Sequence, residues 1–202
     1  MRRVLLSAVL SLSSVVLAAP WDIDSGHAAA NFSVRHMMVS EVHGTLGEVK
    51  GTIDLDDKDP SKSKVEATID VAGLTTKNQK RDDHLRSPDF FDAAKFPTIT
   101  FKSTKVEKQS ADKLRITGDL TIRGATKSVV LDAVLTPEVQ NPFSKATTRG
   151  ATATTTINRE DWGLVWNMAI ANNGLLVGKD VKIELEFEFV RRDTKPAAPA
   201  AK

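Results

Sequence analysis

The chain has 202 residues, with 28 basic side chains, 26 acidic side chains and no cysteine. A formal charge of +2 is too small to attract a nucleic-acid backbone, so no nucleic-acid partner is expected. Because no disulfide can form, a hydrophobic core must hold the fold together, and the chain is long enough to build one.

The first 18 residues have the pattern of a cleavable signal peptide. Two arginines precede an apolar run at residues 4–17, which is too short to span a membrane. Cleavage before Ala19 would remove both arginines and lower the formal charge from +2 to zero. We therefore expect a periplasmic protein without an integral membrane segment. An Ala/Pro-rich end at residues 193–202 predicts a flexible tail, which leaves residues 19–192 as the folded domain.

Between Trp21 and Phe189 the apolar residues recur mainly at every second position, which is the period of a half-buried strand. Short turns separate about eight such runs, so we predict an antiparallel meander with one wet and one dry face. In chain order, the predicted strands are centred on residues 21–24, 30–35, 47–55, 65–71, 99–108, 114–123, 129–135, 151–157 and 181–189.

A meander of this length can form a sandwich or a closed barrel. The predicted inward faces carry many small residues, namely Gly47, Gly51, Ala67, Gly118, Ala133, Ala151 and Ala153. Small inward residues leave space, and an eight-stranded barrel is wide enough to hold one small ligand. Glycines at bulges and tight curves explain part of the set equally well. We expect an all-β fold, a closed antiparallel β-barrel of about eight strands, with a short helical insert between strands.

The insert at residues 76–101 interrupts the strand pattern with helical, charged and aromatic residues. Thr76 and Gln79 have the spacing of a capping box, so a short helix is expected to begin there. Ser87-Pro88 is a second start signal, and Phe96-Pro97 would end the second helix.

The charged run 80–86 is most simply a solvated helix face held by pairs such as Asp82–Arg86. The alternative places this run at a cavity mouth, next to the polar head group of a ligand. Phe90-Phe91 either packs over one end of the barrel or lines the mouth of an apolar cavity, and the two interpretations are compatible.

The sequence contains no recognisable catalytic or metal-binding motif, because H-E-x-x-H, G-x-S-x-G and cysteine are all missing. His36 and His43 would face opposite sides of one unbroken strand. No catalytic residue, metal or cofactor is therefore expected, and His84 is the local candidate if the protein were an enzyme.

A second irregular region at residues 158–179 contains Trp162 and Trp166. Four residues apart, the two rings would meet on one face if this region were helical. The region is either a loop packed against the barrel or a segment that brings Trp166 to a cavity.

Four segments in order resemble the YceI-like family of exported lipid- and polyisoprenoid-binding proteins. They are NFSVRHMMVSEVHGTLGEVKG (31–51), KRDDHLRSPDFFDAAKFPTITF (80–101), GDLTIRGATKSV (118–129), and NREDWGLVWN with LLVGKDVKIELE (158–167 and 175–186). The resemblance implies a lipocalin-like barrel that holds a long apolar ligand in its interior, and it makes a homodimer plausible.

On this basis we expect a periplasmic binding or carrier protein for a long-chain isoprenoid or a fatty-acyl lipid. The residues expected to line the cavity are Phe32, Val34, Ile69, Phe91, Phe101, Leu120 and Trp166. Arg35, Arg81 and His84 are the candidates for contact with the polar end of the ligand. The alternatives are an enzyme that acts on such a lipid and a ligand-free stress-response or structural module with a filled barrel.

Overall fold

The structure is a computed structural model that describes residues 19–171 and 174–192. The predicted signal peptide and the predicted tail lie outside the described residues. The strands are β1 (Ala19–His36), β2 (Ser40–Thr45), β3 (Val49–Leu55), β4 (Lys64–Asp70), β5 (Thr98–Lys108), β6 (Lys113–Ile122), β7 (Ala125–Leu135), β8 (Val139–Gln140), β9 (Thr147–Asn158), β10 (Ala169–Ile170), β11 (Gly174–Leu175) and β12 (Val177–Arg191). The described residues also form one α-helix, α1 (Gln79–Arg86), and 3-10 turns at Pro60–Lys62 and Arg159–Trp162.

Eight antiparallel strands form the wall of a closed barrel. They pair in the order β12, β1, β3, β4, β5, β6, β7 and β9, and β9 pairs again with β12. The start of β1 pairs with β3 and its end pairs with β2, so β2 continues the wall beyond β3. A sheet that closes on itself has no long free edge, and this closure confirms the predicted barrel over the sandwich.

The barrel has two different ends. At the helix end, β1 finishes and β12 begins, with His36 opposite Val177. At the far end, β1 begins and β12 finishes, with Trp21 opposite Arg191. The connections at the helix end are residues 37–39, 71–97, 123–124 and 159–176, and those at the far end are residues 56–63, 109–112 and 136–146. Within the described part of the chain, no helix is long and apolar enough to cross a membrane.

The helical insert is confirmed, but two of its predicted details are wrong. Asn78, rather than Thr76, caps α1, since its side chain accepts a hydrogen bond from the backbone N–H of Arg81. Residues 87–97 form successive turns instead of a second helix, and Asp92 has a left-handed backbone with φ of 49°. Neighbouring helical side chains point about 100° apart, whereas these turns direct both Phe90 and Phe91 toward the barrel.

The predicted surface position of Asp82 is wrong. Although burial alone raises the pKa of Asp82, the charge of Arg86 is among the causes that lower it below its ordinary value. Asp82 is only 4% exposed, and its carboxylate accepts hydrogen bonds from Thr75 and Thr76. Arg86 pairs with Asp83, with 3.2 Å between Nη1 and Oδ1. One side of the charged helix is therefore bonded to Thr75, whose backbone pairs with β2.

Bulky side chains fill the far end of the barrel. Trp21 and Phe189 are both buried, and their rings meet edge to face at 5.2 Å between centroids. The guanidinium of Arg191 lies 4.7 Å from the centre of the Trp21 ring.

Some of the small residues that were predicted to leave space in the interior serve another purpose. A Cβ on Gly47 would lie 1.9 Å from the carbonyl oxygen of Asp70, so this glycine permits close approach of two backbones. A Cβ on Gly118 would lie 2.4 Å from the ring of Phe101, which already occupies the space beside it. The small residues that actually border interior space are Ala67, Ala133, Ala151 and Ala153.

Candidate apolar ligand-binding site

The barrel encloses an interior cavity of about 110 Å³. Its lining is aliphatic and aromatic except for Ser63 and Thr155, and the Ser63 hydroxyl accepts a hydrogen bond from the Asp56 N–H. Such a lining favours burial of an apolar chain away from water, whereas it has almost no hydrogen-bonding groups for a polar one. Three of the residues predicted to line the cavity lie here, namely Ile69, Phe101 and Leu120.

A second apolar space of about 90 Å³, which we call the throat, lies between the interior cavity and the insert. Leu46, Ile99, Ile122 and Ile183 line both spaces. The predicted residues Phe32, Val34 and Phe91 border the throat. Trp162, which closes one side of it, is held by a hydrogen bond of 3.1 Å from its Nε1 to the carbonyl oxygen of Leu120.

The throat adjoins a surface cleft of about 420 Å³ at the helix end, which we call the mouth. The side chains that border both the throat and the mouth are Phe32, Val34, Leu85, Phe90 and Val177. Six of the ten predicted site residues line the mouth, namely Phe32, Val34, Arg35, Arg81, His84 and Trp166. All ten predicted residues therefore line three neighbouring spaces, the mouth, the throat and the interior cavity.

Three rings form one side of the mouth. The ring of His84 lies 4.7 Å from Trp166 and 5.1 Å from Phe90, both edge to face, and Phe90 lies 5.4 Å from Trp166. The Nε2 of His84 is 2.9 Å from a carboxylate oxygen of Asp89. The contacts fix the orientation of the imidazole, so His84 helps to shape the rim.

The mouth is rich in basic groups. Among the described residues that line it are Arg35, His36, Lys80, Arg81 and His84, and none of the described lining residues is a carboxylate. This arrangement favours a ligand whose outer end is anionic.

Two arginines at the mouth keep much of their positive charge uncompensated, because one has neutral partners and the other lies far from its carboxylate. The guanidinium of Arg81 donates to the hydroxyl and carbonyl oxygens of Thr76, which are neutral. Arg35 reaches Glu41 only at 4.0 Å, because Glu41 binds Lys182 more closely at 3.2 Å. The hydrogen bond from Lys182 also lowers the pKa of Glu41.

Arg159 is an important residue that the sequence analysis missed. It is only 5% exposed and lines the throat, where its guanidinium donates to the carbonyl oxygens of Leu164, Val177 and Gly178. Burial lowers the pKa of Arg159, while the nearby charge of Glu160 raises it. These bonds fasten the loop that carries Trp162 and Trp166 to the start of β12.

Two arrangements that the sequence analysis stated conditionally do not occur. Trp162 and Trp166 do not share a helix face, because the 3-10 turn ends at Trp162 and the chain then runs irregularly to the mouth. His36 and His43 lie on two paired strands, since a turn at residues 37–39 separates β1 from β2.

A possible metal-ligand cluster lies on the outside of the barrel, away from these three spaces. One donor atom each from Asp24, His27 and Glu188 lies within 4.8 Å of the others. The cluster forms because β1 bulges between Ile23 and Ala28 opposite Glu188. A hydrogen bond of 2.8 Å to Asp24 raises the pKa of His27 and already occupies two of the three groups.

These features define a closed antiparallel barrel with an apolar interior. Its mouth has three rings on one side and is rich in basic groups. The family model of the YceI-like domain matches residues 21–189. The chain therefore belongs to the YceI-like domain family, as the four sequence segments predicted.

Relatives of known sequence or structure agree with this assignment. A UPF0312 protein of Staphylococcus aureus is 37% identical over 166 residues, covering 82% of this chain and 94% of that protein. The crystal structure of the YceI protein of Campylobacter jejuni is 31% identical with a TM-score of 0.67, covering 78% of this chain and 90% of that one.

Two more distant structures share the fold alone. BcnA of Burkholderia cenocepacia is 20% identical with a TM-score of 0.72, covering 83% of this chain and 99% of that one. A polyisoprenoid-binding domain from Saccharophagus degradans is 13% identical with a TM-score of 0.62, covering 87% of this chain and 99% of that domain.

Proposed function

We propose that the protein is a periplasmic carrier that binds a long-chain lipid, a polyisoprenoid or a fatty-acyl chain, inside its barrel. The observation that carries this proposal is the apolar lining of the interior cavity and the throat, which share lining residues with each other and, through the throat, with the mouth. Membership of the YceI-like family supports it, as does the shared fold of a domain named for binding polyisoprenoid.

The dimensions of the route favour a slender ligand. Ligand pockets commonly measure about 300 to 1,000 Å³, and each of the two enclosed spaces is smaller than that. A compact molecule would fit neither space, whereas a flexible chain can pass from the mouth through the throat into the interior. The ligand chain would fill the interior while its polar end stays near Arg35, Arg81 and His84.

Burial of the chain would dominate the binding free energy. Each methylene removed from water contributes about 0.8 kcal/mol, so ten contribute about 8 kcal/mol. An exposed ion pair at the mouth contributes about 0 to 1 kcal/mol. We therefore expect loose selectivity for the chemistry of the chain and stronger selectivity for its length.

We also propose that this binding is not followed by chemical conversion of the lipid. His84 lies at the rim, where it contacts Asp89 and two aromatic rings. Wild type and His84→Ala are each incubated with the lipid, which is then extracted and analysed by mass spectrometry. We expect the lipid to be chemically unchanged in both cases. A product made by the wild type and lost in His84→Ala would support an enzyme instead.

Native mass spectrometry of protein purified from the periplasmic fraction tests the carrier proposal. We expect the protein to begin at Ala19 and to carry an added mass that solvent extraction removes and identifies as an isoprenoid or acyl lipid. Stripped protein should take up isoprenoid alcohols of increasing length until the route is full. A protein that co-purifies without lipid and takes up no added isoprenoid would support the ligand-free module.

A further inference from the structure

Exposed apolar side chains gather around the mouth at the helix end. Val39 is 78% exposed and Met38 is 64% exposed, both in the turn that joins β1 to β2. We use the name apolar collar for the exposed residues of this end, which are Met37, Met38, Val39, Val165 and Met168. Contiguous exposed apolar surface of this kind marks a site of contact with another molecule or with a membrane.

Backbone hydrogen bonds join the two parts of the collar into one surface. The N–H of Met37 donates to the carbonyl oxygen of Leu176 at 2.8 Å, and the N–H of Leu176 donates to Met168 at 2.9 Å. Leu176 itself lines the mouth, as does Trp166 between the collar residues Val165 and Met168. The collar is therefore the outer continuation of the mouth.

The backbone at the tip of the β1–β2 turn supports a role for its side chains. Met37 and Met38 both have left-handed backbones, with φ of 51° and 65°. Glycine and asparagine adopt this conformation most readily in hairpin turns, and bulky residues adopt it at a conformational cost. Two exposed methionines at such positions contribute little to the core, so the strained turn points to a function for their apolar surface.

Basic groups lie immediately beside the collar. Arg35 lies two residues before Met37, and Lys80 and Arg81 of α1 line the same mouth. Positive charge next to exposed apolar side chains matches an anionic bilayer, where phosphates lie above acyl chains. A second copy of the chain would fit less well, because a two-fold interface around the mouth would bring the same basic rim against itself.

We infer that the helix end docks on an anionic membrane surface, with the collar among the acyl chains and the mouth facing the bilayer. A lipid could then move between membrane and barrel without crossing bulk water. This inference rests on the proposed function, since it supplies the step by which a carrier loads and unloads its cargo.

Vesicle sedimentation tests the docking. The full-length mature protein is mixed with vesicles of phosphatidylcholine alone or of phosphatidylcholine with phosphatidylglycerol. We expect binding to the mixed vesicles that salt weakens, and an affinity about tenfold lower in Val39→Asp. Phe143→Asp is the matched control, because Phe143 is 94% exposed at the far end of the barrel and should keep full binding.

Met38→Gly separates loss of docking from loss of folding. Glycine relieves the left-handed backbone, so the thermal unfolding temperature should stay equal or rise while vesicle binding falls. Equal binding by wild type, Val39→Asp and Met38→Gly would overturn the inference, as would a collar that instead drives dimerisation in sedimentation velocity.

Uptake of a long isoprenoid alcohol from detergent solution is measured on the same samples, to keep the two proposals apart. Val39→Asp should load from detergent like the wild type and should load from mixed vesicles about tenfold more slowly. Loading from detergent without vesicle binding would end the docking inference and leave the carrier proposal standing. Vesicle binding without any loading would end the carrier proposal instead.

Discussion

Asp82 links α1 to Thr75 and Thr76, and the backbone of Thr75 pairs in turn with Thr45 of β2. Its carboxylate accepts from the N–H of Thr76 at 2.8 Å and from the hydroxyl of Thr75 at 3.0 Å, and it also accepts from the hydroxyl of Thr76. Burial alone raises the pKa of Asp82, but these hydrogen bonds outweigh it, so its pKa lies below the ordinary value of 3.8. The ionised carboxylate therefore stabilises the folded state.

We predict that Asp82→Asn lowers the free energy of unfolding by about 1 to 3 kcal/mol at pH 7, because an amide cannot accept all of these bonds. Since the folded pKa is the lower one, the stabilisation is complete above the unfolded value and disappears as the pH falls through the folded pKa. Urea unfolding of the two proteins should therefore give stabilities that converge below pH 3.8. Asp83→Asn, at an exposed position of the same helix, is the control and should cost less than about 1 kcal/mol.

Asp82 and Arg159 also mark a limit of prediction from sequence at the residue scale. Both look like ordinary surface charges in the sequence, since each lies in a run of polar residues. The partners of Arg159 lie far along the chain, such as Gly178, whereas those of Asp82 are the nearby Thr75 and Thr76, which no helical spacing predicts. The predicted lining residues were easier to place, because apolar alternation along a strand already tells which face a side chain occupies.

At the scale of elements, residues 71–97 form the cover of the barrel and also one wall of its entrance. Phe90 is buried against the throat and Phe91 borders the same space, while Arg81 and His84 lie on the outer side at the mouth. Under the proposed function, residues 71–97 would therefore give binding an inner, apolar contribution and an outer, polar one.

This division predicts that removing Phe90 and Phe91 harms lipid retention more than neutralising the rim. Release of bound isoprenoid from Phe91→Ala and from Phe90→Ala/Phe91→Ala, followed by native mass spectrometry, should be at least about tenfold faster than from the wild type. Arg81→Gln and His84→Ala should change the release rate by less than about threefold. Near-ultraviolet circular dichroism checks that each variant remains folded. Equal release rates from the phenylalanine variants and from the Arg81 and His84 variants would contradict the prediction.

The elements themselves were largely predictable, and the errors have a common origin. Strand positions follow from the period of two, and α1 follows from its polar, helix-forming run. The second predicted helix failed because Ser87-Pro88 starts a tight turn as readily as a helix, and contacts with the barrel decide between them. Likewise, the long strand β1 joins two predicted strands across a bulge that only its pairing with β12 reveals.

For the whole molecule, the interior space depends on alanines in the middle of the wall. Ala133 on β7 is paired with Ala153 on β9, and both border the interior cavity. The predicted barrel was correct, although the glycines used to argue for space proved to serve backbone approach and ring packing. Sequence alone cannot separate these roles, because each depends on what lies opposite the glycine.

We predict that Ala133→Leu shortens the longest isoprenoid the protein can hold while changing stability by less than about 1 kcal/mol, since the added methyl groups enter existing space. Uptake across a series of chain lengths, together with urea unfolding, measures both effects. Ala30→Leu is the matched control, because Ala30 is fully buried and does not border the described cavities. It should cost about 1 to 3 kcal/mol through overpacking. An unchanged length limit in Ala133→Leu would show that the chain does not reach this part of the interior.

The pairing of β1 with β12 also determines when the barrel can form. Trp21 is opposite Arg191, so the wall can close only when the last strand of the domain has paired with the first. Contacts between such distant parts of a chain are slow to form, and until then β1 and β9 present open edges that can pair with other molecules. A chain cut before β12 would leave those edges unpaired, because β12 is the strand that pairs with both β1 and β9 and closes the barrel.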